Sequence, residues 1–191
     1  NRWMQLNKPK IKSGDTIVLA SHNNGKIKEF RTLLEPFNLN IITSSDLNIK
    51  DVKETGQSFK ENSILKVKSI PSEYIAISDD SGLCVTCLND HPGIFSSRFS
   101  KINGGWKNAM KIIYEAIIEK GKNNFNARFV CCLSIKFSDD IIYSYSGEIA
   151  GNIIWPPKGN NGFGYDPFFV ALGERKTFGE LKHERKIRID H

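Results

Sequence analysis

Three polar segments of this 191-residue sequence carry the side chain types that bind phosphorylated ligands. The first follows an apolar run and precedes a helical pattern. A helix N-terminus offers free N–H groups and the positive end of a dipole, so anions bind there readily. An ordinary strand-to-helix loop would have a similar composition, and the P-loop pattern is absent. The candidate phosphate-binding residues are Ser21, His22, Asn23, Asn24, Gly25 and Lys26.

The second segment joins an apolar run to two adjacent aspartates, Asp79 and Asp80, which Ser81 and a glycine follow. We predict that a buried strand ends just before this pair. Magnesium prefers a few carboxylates together with waters and phosphate oxygens, and Glu54 in another acidic turn could supply a second carboxylate. A carboxylate beside a bound water could also deprotonate it. The alternative is a solvated turn in which the aspartates cap neighbouring amides.

The third segment, residues 156–167, is rich in proline, glycine and asparagine and contains the aromatic residues Phe163 and Tyr165. Glycines let a backbone approach a ligand closely, and an aromatic face can stack on a nucleobase. An ordinary connecting loop is the alternative, although loops of this length are often functional. Together, the three segments indicate sites for phosphate, metal and base, which is the composition of a nucleotide site.

The hydrophobic pattern predicts the elements that must position these segments. Helical spacing of apolar residues predicts helices at 27–37, at 58–70 with Ser58 and Glu61 as a capping box, and at 106–120. In the second helix we expect Phe59, Ile64 or Leu65, Val67 and Ile70 to face the core. Apolar runs predict strands at 16–20, 39–42, 74–78, 127–137 and 141–148. A turn at 138–140 makes the last two antiparallel, whereas strand–helix–strand units favour parallel neighbours, so we expect a mixed α/β sheet flanked by helices.

Composition excludes several classes of protein. No apolar run is long enough to span a membrane, and the net charge of +6 is too modest and dispersed for a nucleic-acid patch, although it favours anionic ligands. No signal-peptide core is visible, so four free thiols and a cytoplasmic location are expected. Cys84 and Cys87 form a C-x-x-C pattern, but residues 83–88 look like a strand, which would place the two thiols on opposite faces. We interpret them as small hydrophobic residues.

Five motifs, in this order, resemble the inosine triphosphate pyrophosphatase family, also called the Ham1-like family of non-standard purine nucleotide pyrophosphatases. The likeness extends from about residue 17 to residue 191, and a K-x-x-x-x-H pattern at its end also matches. The motifs are S-x-N-x-x-K from Ser21, E-T-G-x-S-F-x-E-N-x-x-x-K from Glu54, D-D-S-G-L from Asp79, P-G-I-F-S-S-R-F from Pro92 and G-F-G-Y-D-P-x-F from Gly162.

The resemblance implies hydrolysis of ITP, dITP and XTP to the monophosphate and pyrophosphate, with Mg²⁺ as cofactor. It also implies one domain, 1–191, with an N-terminal extension at 1–15. Its fold would be an elongated mixed α/β structure with a substrate cleft between two lobes. The partners implied are small purine nucleoside triphosphates and a second copy of the chain in a homodimer, with neither nucleic acid nor membrane.

The resemblance also implies a role for each candidate residue. Residues 21–26 would hold the phosphates, and Asp80 would be both a metal ligand and the general base. Glu54 would be the second metal ligand, with Asp79 assisting. The remaining substrate contacts would be Ser81, Phe163, Gly164, Tyr165, Asp166, Lys186 and His191.

The sequence departs from the family pattern at several positions. Lys53 stands where many members have an acid, and Asp190 replaces the usual serine before His191. The arginine expected after His191 and the family's C-terminal helix are not in the sequence. Two alternatives therefore stand beside the pyrophosphatase. One is a nucleotide-binding protein of this fold without catalysis, and the other is an enzyme that removes different modified nucleotides.

Overall fold

The structure is a computed structural model that describes residues 8–121 and 123–191, so the first seven residues of the expected extension at 1–15 lie outside it. Within the described residues, the strands are β1 (Thr16–Leu19), β2 (Asn40–Thr43), β3 (Ile75–Val85), β4 (His91–Pro92), β5 (Asn126–Ser138), β6 (Ile141–Ile153) and β7 (Phe169–Ala171). The helices are α1 (Asn24–Leu34), α2 (Phe59–Lys68), α3 (Ser96–Ile102), α4 (Trp106–Glu119) and α5 (His183–Ile189).

The strands form one mixed sheet with the order β2-β1-β3-β5-β6-β7, and β4 pairs with β3. β1 lies parallel to both β2 and β3. The β5–β6 hairpin and its pairing with β3 are antiparallel, as is the β6–β7 pair. The fold class predicted from the sequence, a mixed α/β sheet flanked by helices, is confirmed.

β3 is longer than predicted, and the prediction that it ends at Ser78 is wrong. The strand runs through the aspartate pair, with Asp79 opposite Leu133 and Asp80 opposite Cys132 of β5. β1 pairs with β3 only at Ile75–Ile77, so at the aspartate pair the strand is paired with β5 and no longer with β1. The sequence pattern marks a strand end because charged residues rarely continue a buried strand without partners.

The hydrophobic core is divided along β3. At one end Val18, Ala76 and Ile77 belong to clusters that pack around β1 and α2. At the other end Leu83 and Val85 belong to a larger cluster around α4 and β7. The aspartates and Ser81 therefore occupy the polar stretch of β3 that separates two apolar regions.

Helix α2 presents a partly polar face to the sheet, so the apolar face predicted for it is confirmed at Val67 and Ile70 and wrong at Phe59, Ile64 and Leu65. Asn62 and Ser63 are buried together with Val67, whereas Ile64 and Leu65 are half-buried. The helix begins where the sequence predicts, because the Ser58 hydroxyl accepts a hydrogen bond from the Glu61 N–H at 3.1 Å. The Glu61 carboxylate accepts from the Gln57 N–H rather than from that of Ser58, so the predicted capping box is only half formed.

Four short elements were not predicted, namely α3, α5, β4 and β7. The strand predicted through residue 88 is also wrong, because β3 ends at Val85 and Cys87 lies in a following 3₁₀ turn.

All four cysteines are free. Burial raises the pKa of the Cys84 thiol to about 11, as expected for a cysteine that packs as a small hydrophobic residue.

Lys136 holds the end of α2 against the sheet. Its side chain leaves β5, is fully buried, and donates to the carbonyl oxygens of Ile70 and Pro71, which follow the helix. The same ammonium lies 3.3 Å from the Asp139 carboxylate. A buried ammonium needs such acceptors because it leaves water behind. This contact fixes the helix that supplies the polar face described above.

The Lys136→Met variant is expected to lower the free energy of unfolding by about 1–3 kcal/mol, because two carbonyl groups and a carboxylate lose their donor. Urea unfolding followed by circular dichroism measures the change. Lys111→Met is the matched control, since Lys111 is exposed and its ion pair among residues 8–121 and 123–191 is an i,i+4 contact with Glu115. That control should change stability by less than about 0.5 kcal/mol. Equal effects of the two variants would contradict the role assigned to Lys136.

Candidate active site

Two buried aspartates and two lysines form the centre of the polar stretch. Lys26 extends from the first turn of α1 and its Nζ lies 2.7 Å from Asp79 Oδ2. Lys66 extends from α2, with its Nζ 3.7 Å from Asp80 Oδ1 and 3.0 Å from the Asp79 carbonyl oxygen. Because both aspartates are 4% exposed, the lysines neutralise charges that water cannot reach.

Asp79 is the more tightly held of the pair. Its Oδ2 accepts hydrogen bonds from Lys26 and from the Ser81 hydroxyl. Although burial alone would raise the pKa of Asp79, the ammonium groups of Lys26 and Lys66 hold it below its ordinary value. Its Oδ1 is buried and has no hydrogen-bond partner among the described residues. The carboxylate is therefore ionised and keeps one oxygen free to accept.

The negative charge of Asp80 is less well compensated by neighbouring positive charge than that of Asp79. Burial raises the pKa of Asp80 above its ordinary value, and the nearby Glu54 carboxylate adds to the rise, while Lys66 opposes it. Asn62 donates from Nδ2 to Asp80 Oδ2 at 2.9 Å. A carboxylate with a raised pKa accepts a proton more readily at neutral pH, which suits a general base.

Glu54 and Asp80 could hold a metal ion between them. Lys66 Nζ lies 2.6 Å from Glu54 Oε1 as well as near Asp80, so both carboxylates face one small volume. Among residues 8–121 and 123–191, no group of three His, Cys, Asp or Glu side chains forms a complete metal site. Mg²⁺ does not require one, since it is commonly bound by one or two carboxylates plus waters and phosphate oxygens. The pair of carboxylates that share Lys66 is a donor set that fits this ion.

The candidate phosphate segment differs from the expected row of free N–H groups. Asn23 caps α1, and its side chain accepts from the N–H groups of Gly25 and Lys26 at 2.9 and 3.2 Å. The Ser21 hydroxyl accepts from the Asn23 N–H. The His22 ring contacts the Ile49 carbonyl oxygen and faces away to the next loop. Of the predicted phosphate ligands, Lys26 has the strongest charge and lies beside the aspartates.

The candidate base loop lies against the same end of α1. Gly25 packs under the Phe163 ring so closely that an added Cβ would lie 2.6 Å from it. The Asp166 Oδ2 accepts from the Phe163 N–H at 2.9 Å, which holds the loop in a tight turn next to Gly164. Phosphate and base candidates are therefore adjacent, although 138 positions separate Gly25 from Phe163.

Tyr165 is placed differently from the other loop residues. It is 3% exposed, packs in the larger core cluster, and donates its hydroxyl hydrogen to the Ser96 carbonyl oxygen. Burial raises its pKa. The structure thus places Tyr165 beneath the loop as an anchor, so a direct contact of its ring with a base is not supported by this geometry.

Lys186 joins the base loop to α1 and to the end of the chain. Its Nζ lies 2.5 Å from Glu29, 2.8 Å from Asp166 and 3.2 Å from Asp190, and 4.8 Å from the Phe163 ring centre. Three carboxylates thus surround one buried ammonium.

Two of the three acids around Lys186, Asp166 and Asp190, differ in the direction in which their pKa is shifted. Burial raises the pKa of Asp166 to about 6 despite Lys186. Burial would raise the pKa of Asp190 as well, but His191 and Lys186 hold it at about 2. The His191 ring stacks on Phe129 with ring centres 5.3 Å apart.

Sequence reasoning missed three residues of this arrangement. Glu29 approaches Lys186, and Asn62 and Lys66 connect α2 to the aspartates. Asn62 and Lys66 stand four positions apart, which places them on one face of a helix. That spacing, in a helix with a weak apolar face, could have indicated that both side chains face the aspartates. No spacing connects Glu29 to Lys186, because their contact depends on tertiary structure.

Fold and site together define an α/β protein with a buried cluster of acids and lysines suited to a polyphosphate and a metal ion. The family model of the Ham1 family matches residues 17–191. The chain belongs to the Ham1 family.

It is 40% identical over 178 residues to the dITP/XTP pyrophosphatase of Zymomonas mobilis, covering 92% of this chain and 85% of that protein. It is 36% identical over 186 residues to the dITP/XTP pyrophosphatase of Gluconobacter oxydans, covering 95% and 88%.

Solved structures agree with this assignment. A HAM1 protein from Coxiella burnetii superposes with a TM-score of 0.83 at 33% identity, covering 92% of this chain and 91% of that one. The Ham1 protein of Staphylococcus aureus gives a TM-score of 0.72 at 36% identity, with the same coverage.

The Asp166→Asn variant is expected to flatten the pH dependence of stability. A pKa raised in the folded state gives stability that is complete below about pH 4 and declines as pH rises through about 6. Wild-type protein should therefore lose about 1 kcal/mol more than the variant between pH 5 and pH 7.5. Urea unfolding of the nucleotide-free protein at both pH values measures this difference.

Because the variant also loses part of its contact with Lys186, its stability at one pH is not informative. The diagnostic quantity is the difference between the two pH values. Asp140→Asn, at an exposed turn residue, is the control and should behave as wild type. Identical pH slopes for Asp166→Asn and wild type would contradict the raised pKa of Asp166.

Proposed function

We propose that this protein is a metal-dependent pyrophosphohydrolase that converts dITP, ITP and XTP to the monophosphate and pyrophosphate, and so removes deaminated purines from the nucleotide pool. The observation that supports this most directly is the buried Asp80. Its pKa is raised by burial, and it faces Glu54 and lies beside two lysines. Relatives at 36–40% identity over most of their length are named dITP/XTP pyrophosphatases.

The reaction adds water to the anhydride between the α- and β-phosphates. The water oxygen bonds to phosphorus, the bond from that phosphorus to the bridging oxygen breaks, and Asp80 takes the proton released by the water. Asn62 donates to Asp80 Oδ2, so Oδ1, which lies 3.7 Å from Lys66 Nζ, is the oxygen that would accept the proton. The buried Asp79 remains paired with Lys26, and the nearby ammonium groups hold its pKa below its ordinary value, which makes it the weaker base of the two.

The lysines and the metal would divide the charge of the triphosphate. Mg²⁺, held by Glu54 and Asp80, would neutralise phosphate oxygens and polarise the phosphorus that is attacked. Lys26 and Lys66 have contacts with carboxylates that incoming phosphate oxygens can share, because an ammonium has three donors. Preorganised positive charge at the reacting phosphate is the main contribution a protein makes to such reactions.

The base would lie against Phe163, next to Lys186. Hypoxanthine and xanthine share a 6-keto oxygen that accepts hydrogen bonds, whereas adenine carries an amino group there. Adenine offers no such acceptor, so it could not replace one of the three carboxylates that now accept from the Lys186 ammonium. The carboxylate partners of Lys186, including Asp166, would fix that donor in place.

We also propose a homodimer that works in the cytoplasm on small purine nucleoside triphosphates. The free state of all four cysteines supports a reducing compartment. The dimer rests on the family resemblance. Among the described helices, none is both long and apolar enough to cross a bilayer.

The Asp80→Asn variant tests the mechanism. It should lower kcat for ITP by about 10²–10⁴-fold, because the general base is lost while the shape of the side chain is kept. Pyrophosphate release is measured with ITP, XTP, dITP, GTP, ATP and dUTP in the presence of Mg²⁺. Wild-type protein should favour the first three nucleotides, and chelation of the metal should abolish turnover.

Asp140→Asn serves as the control because it makes the same charge change at an exposed turn. Circular dichroism should show that both variants fold. Near-normal pyrophosphate release by Asp80→Asn would exclude Asp80 as the base. Tight ITP binding by wild-type protein without pyrophosphate release would favour the alternative of a binding protein that has lost catalysis.

The Lys26→Ala variant is expected to raise the KM for ITP by about tenfold or more, since one charge-assisted contact to a phosphate is removed. Steady-state kinetics at saturating Mg²⁺ measures this change. Lys28→Ala is the matched control, because Lys28 is exposed two positions later in the same helix. An unchanged KM in Lys26→Ala, or the same increase in both variants, would argue against phosphate binding by Lys26.

A further inference from the structure

Asn62 connects the two candidate metal ligands through one side chain. It lies in the first turn of α2 and is fully buried. Its Oδ1 accepts from the Gly56 N–H at 2.8 Å, and its Nδ2 donates to Asp80 Oδ2 at 2.9 Å. Gly56 stands two residues after Glu54. Each end of one amide group is therefore attached to a different part of the candidate metal site.

The chemistry of the partners fixes the orientation of this amide. A backbone N–H can only donate and an ionised carboxylate can only accept, so the reverse orientation of Asn62 would lose both hydrogen bonds. The contact with the loop is also close. A Cβ added at Gly56 would lie 2.7 Å from Asn62 Oδ1 and 3.0 Å from the Asn62 backbone nitrogen. The loop rests directly on the start of α2.

The loop is held from its other side as well. Arg98 in α3 donates to the Glu54 carbonyl oxygen at 3.0 Å, and Lys66 pairs with the Glu54 carboxylate. Lys66 and Arg98 supply charge, but neither attaches the loop to Asp80 by a neutral, directional bond. Asn62 does this without adding charge to a region that already contains three carboxylates.

We propose that Asn62 is a positioning residue that sets the separation of the Glu54 and Asp80 carboxylates and so determines the affinity of the site for a divalent cation. This inference rests on the proposed function, in which these two residues hold the metal. Removing the amide leaves the Gly56 N–H and one Asp80 oxygen without partners, and both can then shift. Loss of a group that orients metal ligands commonly lowers metal affinity or activity by about 10–100-fold.

The experiment compares Asn62→Ala with Ser63→Ala. Ser63 is the next residue of α2, is equally buried, and bonds to Ser134 of β5 at 2.7 Å without contacting Glu54 or Asp80. Both variants remove a buried polar contact from the same helix, so their stability losses should be comparable. Only Asn62→Ala should affect the metal.

Mn²⁺ is the probe, titrated into the nucleotide-free protein and followed by electron paramagnetic resonance of the unbound ion. Asn62→Ala is expected to weaken Mn²⁺ binding by about 10–100-fold, and Ser63→Ala to leave it unchanged. With ITP and saturating Mg²⁺, Asn62→Ala should lower kcat more than it changes the KM for ITP. The Mg²⁺ concentration needed for half-maximal rate should rise in parallel.

Wild-type Mn²⁺ affinity and kcat in a folded Asn62→Ala protein would overturn the proposal and leave Asn62 a purely structural role. If that variant does not fold, Asn62→Gln replaces it, because glutamine keeps the amide but moves it by one methylene. Unchanged Mn²⁺ affinity in Asn62→Gln would overturn the proposal equally. A wild-type protein that binds Mn²⁺ but cleaves no nucleotide would refute the proposed function, while the Mn²⁺ comparison would still decide the role of Asn62.

Discussion

Burial of two adjacent carboxylates in the middle of β3 is the constraint on which the rest of this structure depends. An ionised carboxylate is very costly to remove from water unless it is paired, and breaking a buried pair typically costs about 3–5 kcal/mol. Asp79 and Asp80 lie in the polar stretch of β3 between two apolar cores, so their compensating charges must come from other elements. Lys26 from α1 and Lys66 from α2 provide them. The positions of both helices are thus tied to the charges of one strand.

This constraint explains why α2 has a polar inner face. A helix that only covered the sheet would bury every apolar side chain that the sequence pattern predicts; Val67 and Ile70 are buried as predicted, but Phe59, Ile64 and Leu65 are only half-buried. Instead, α2 buries Asn62 and Ser63 and directs Lys66 towards β3, and hydrogen bonds replace part of the hydrophobic contact. The buried ammonium of Lys136 anchors the far end of the same helix. Polar contacts of fixed direction locate this helix more precisely than apolar packing would, which suits an element that positions charged ligands.

The sequence was sufficient to predict the sheet class and most long elements, because their apolar periodicity is strong. β1, α4 and the β5–β6 hairpin begin within a residue or two of their predicted starts. The sequence was not sufficient to predict that Asp79 and Asp80 lie inside β3. A strand that continues through charged residues can be recognised only when the groups that neutralise those charges are known. Helix α5 and the contact of Lys186 with Glu29 were missed for the same reason. Gly25 and Phe163 are 138 positions apart in the chain, and Glu29 and Lys186 are 157 apart. The fold alone brings such residues into contact, so no local sequence pattern can predict the contact.

The two ends of the candidate site differ in how their charge is balanced, and this difference suits their proposed tasks. At the phosphate end, lysines and carboxylates lie side by side, so a polyphosphate and its cation would each meet groups of opposite charge. At the base end, three carboxylates surround Lys186, and burial raises the pKa of Asp166 to about 6 although Lys186 opposes the rise. A neutral base entering there adds no charge, but it can accept a hydrogen bond from the shared ammonium. Selection by hydrogen bonding at one end and by charge at the other follows from the same rule, that each buried polar group must find a partner.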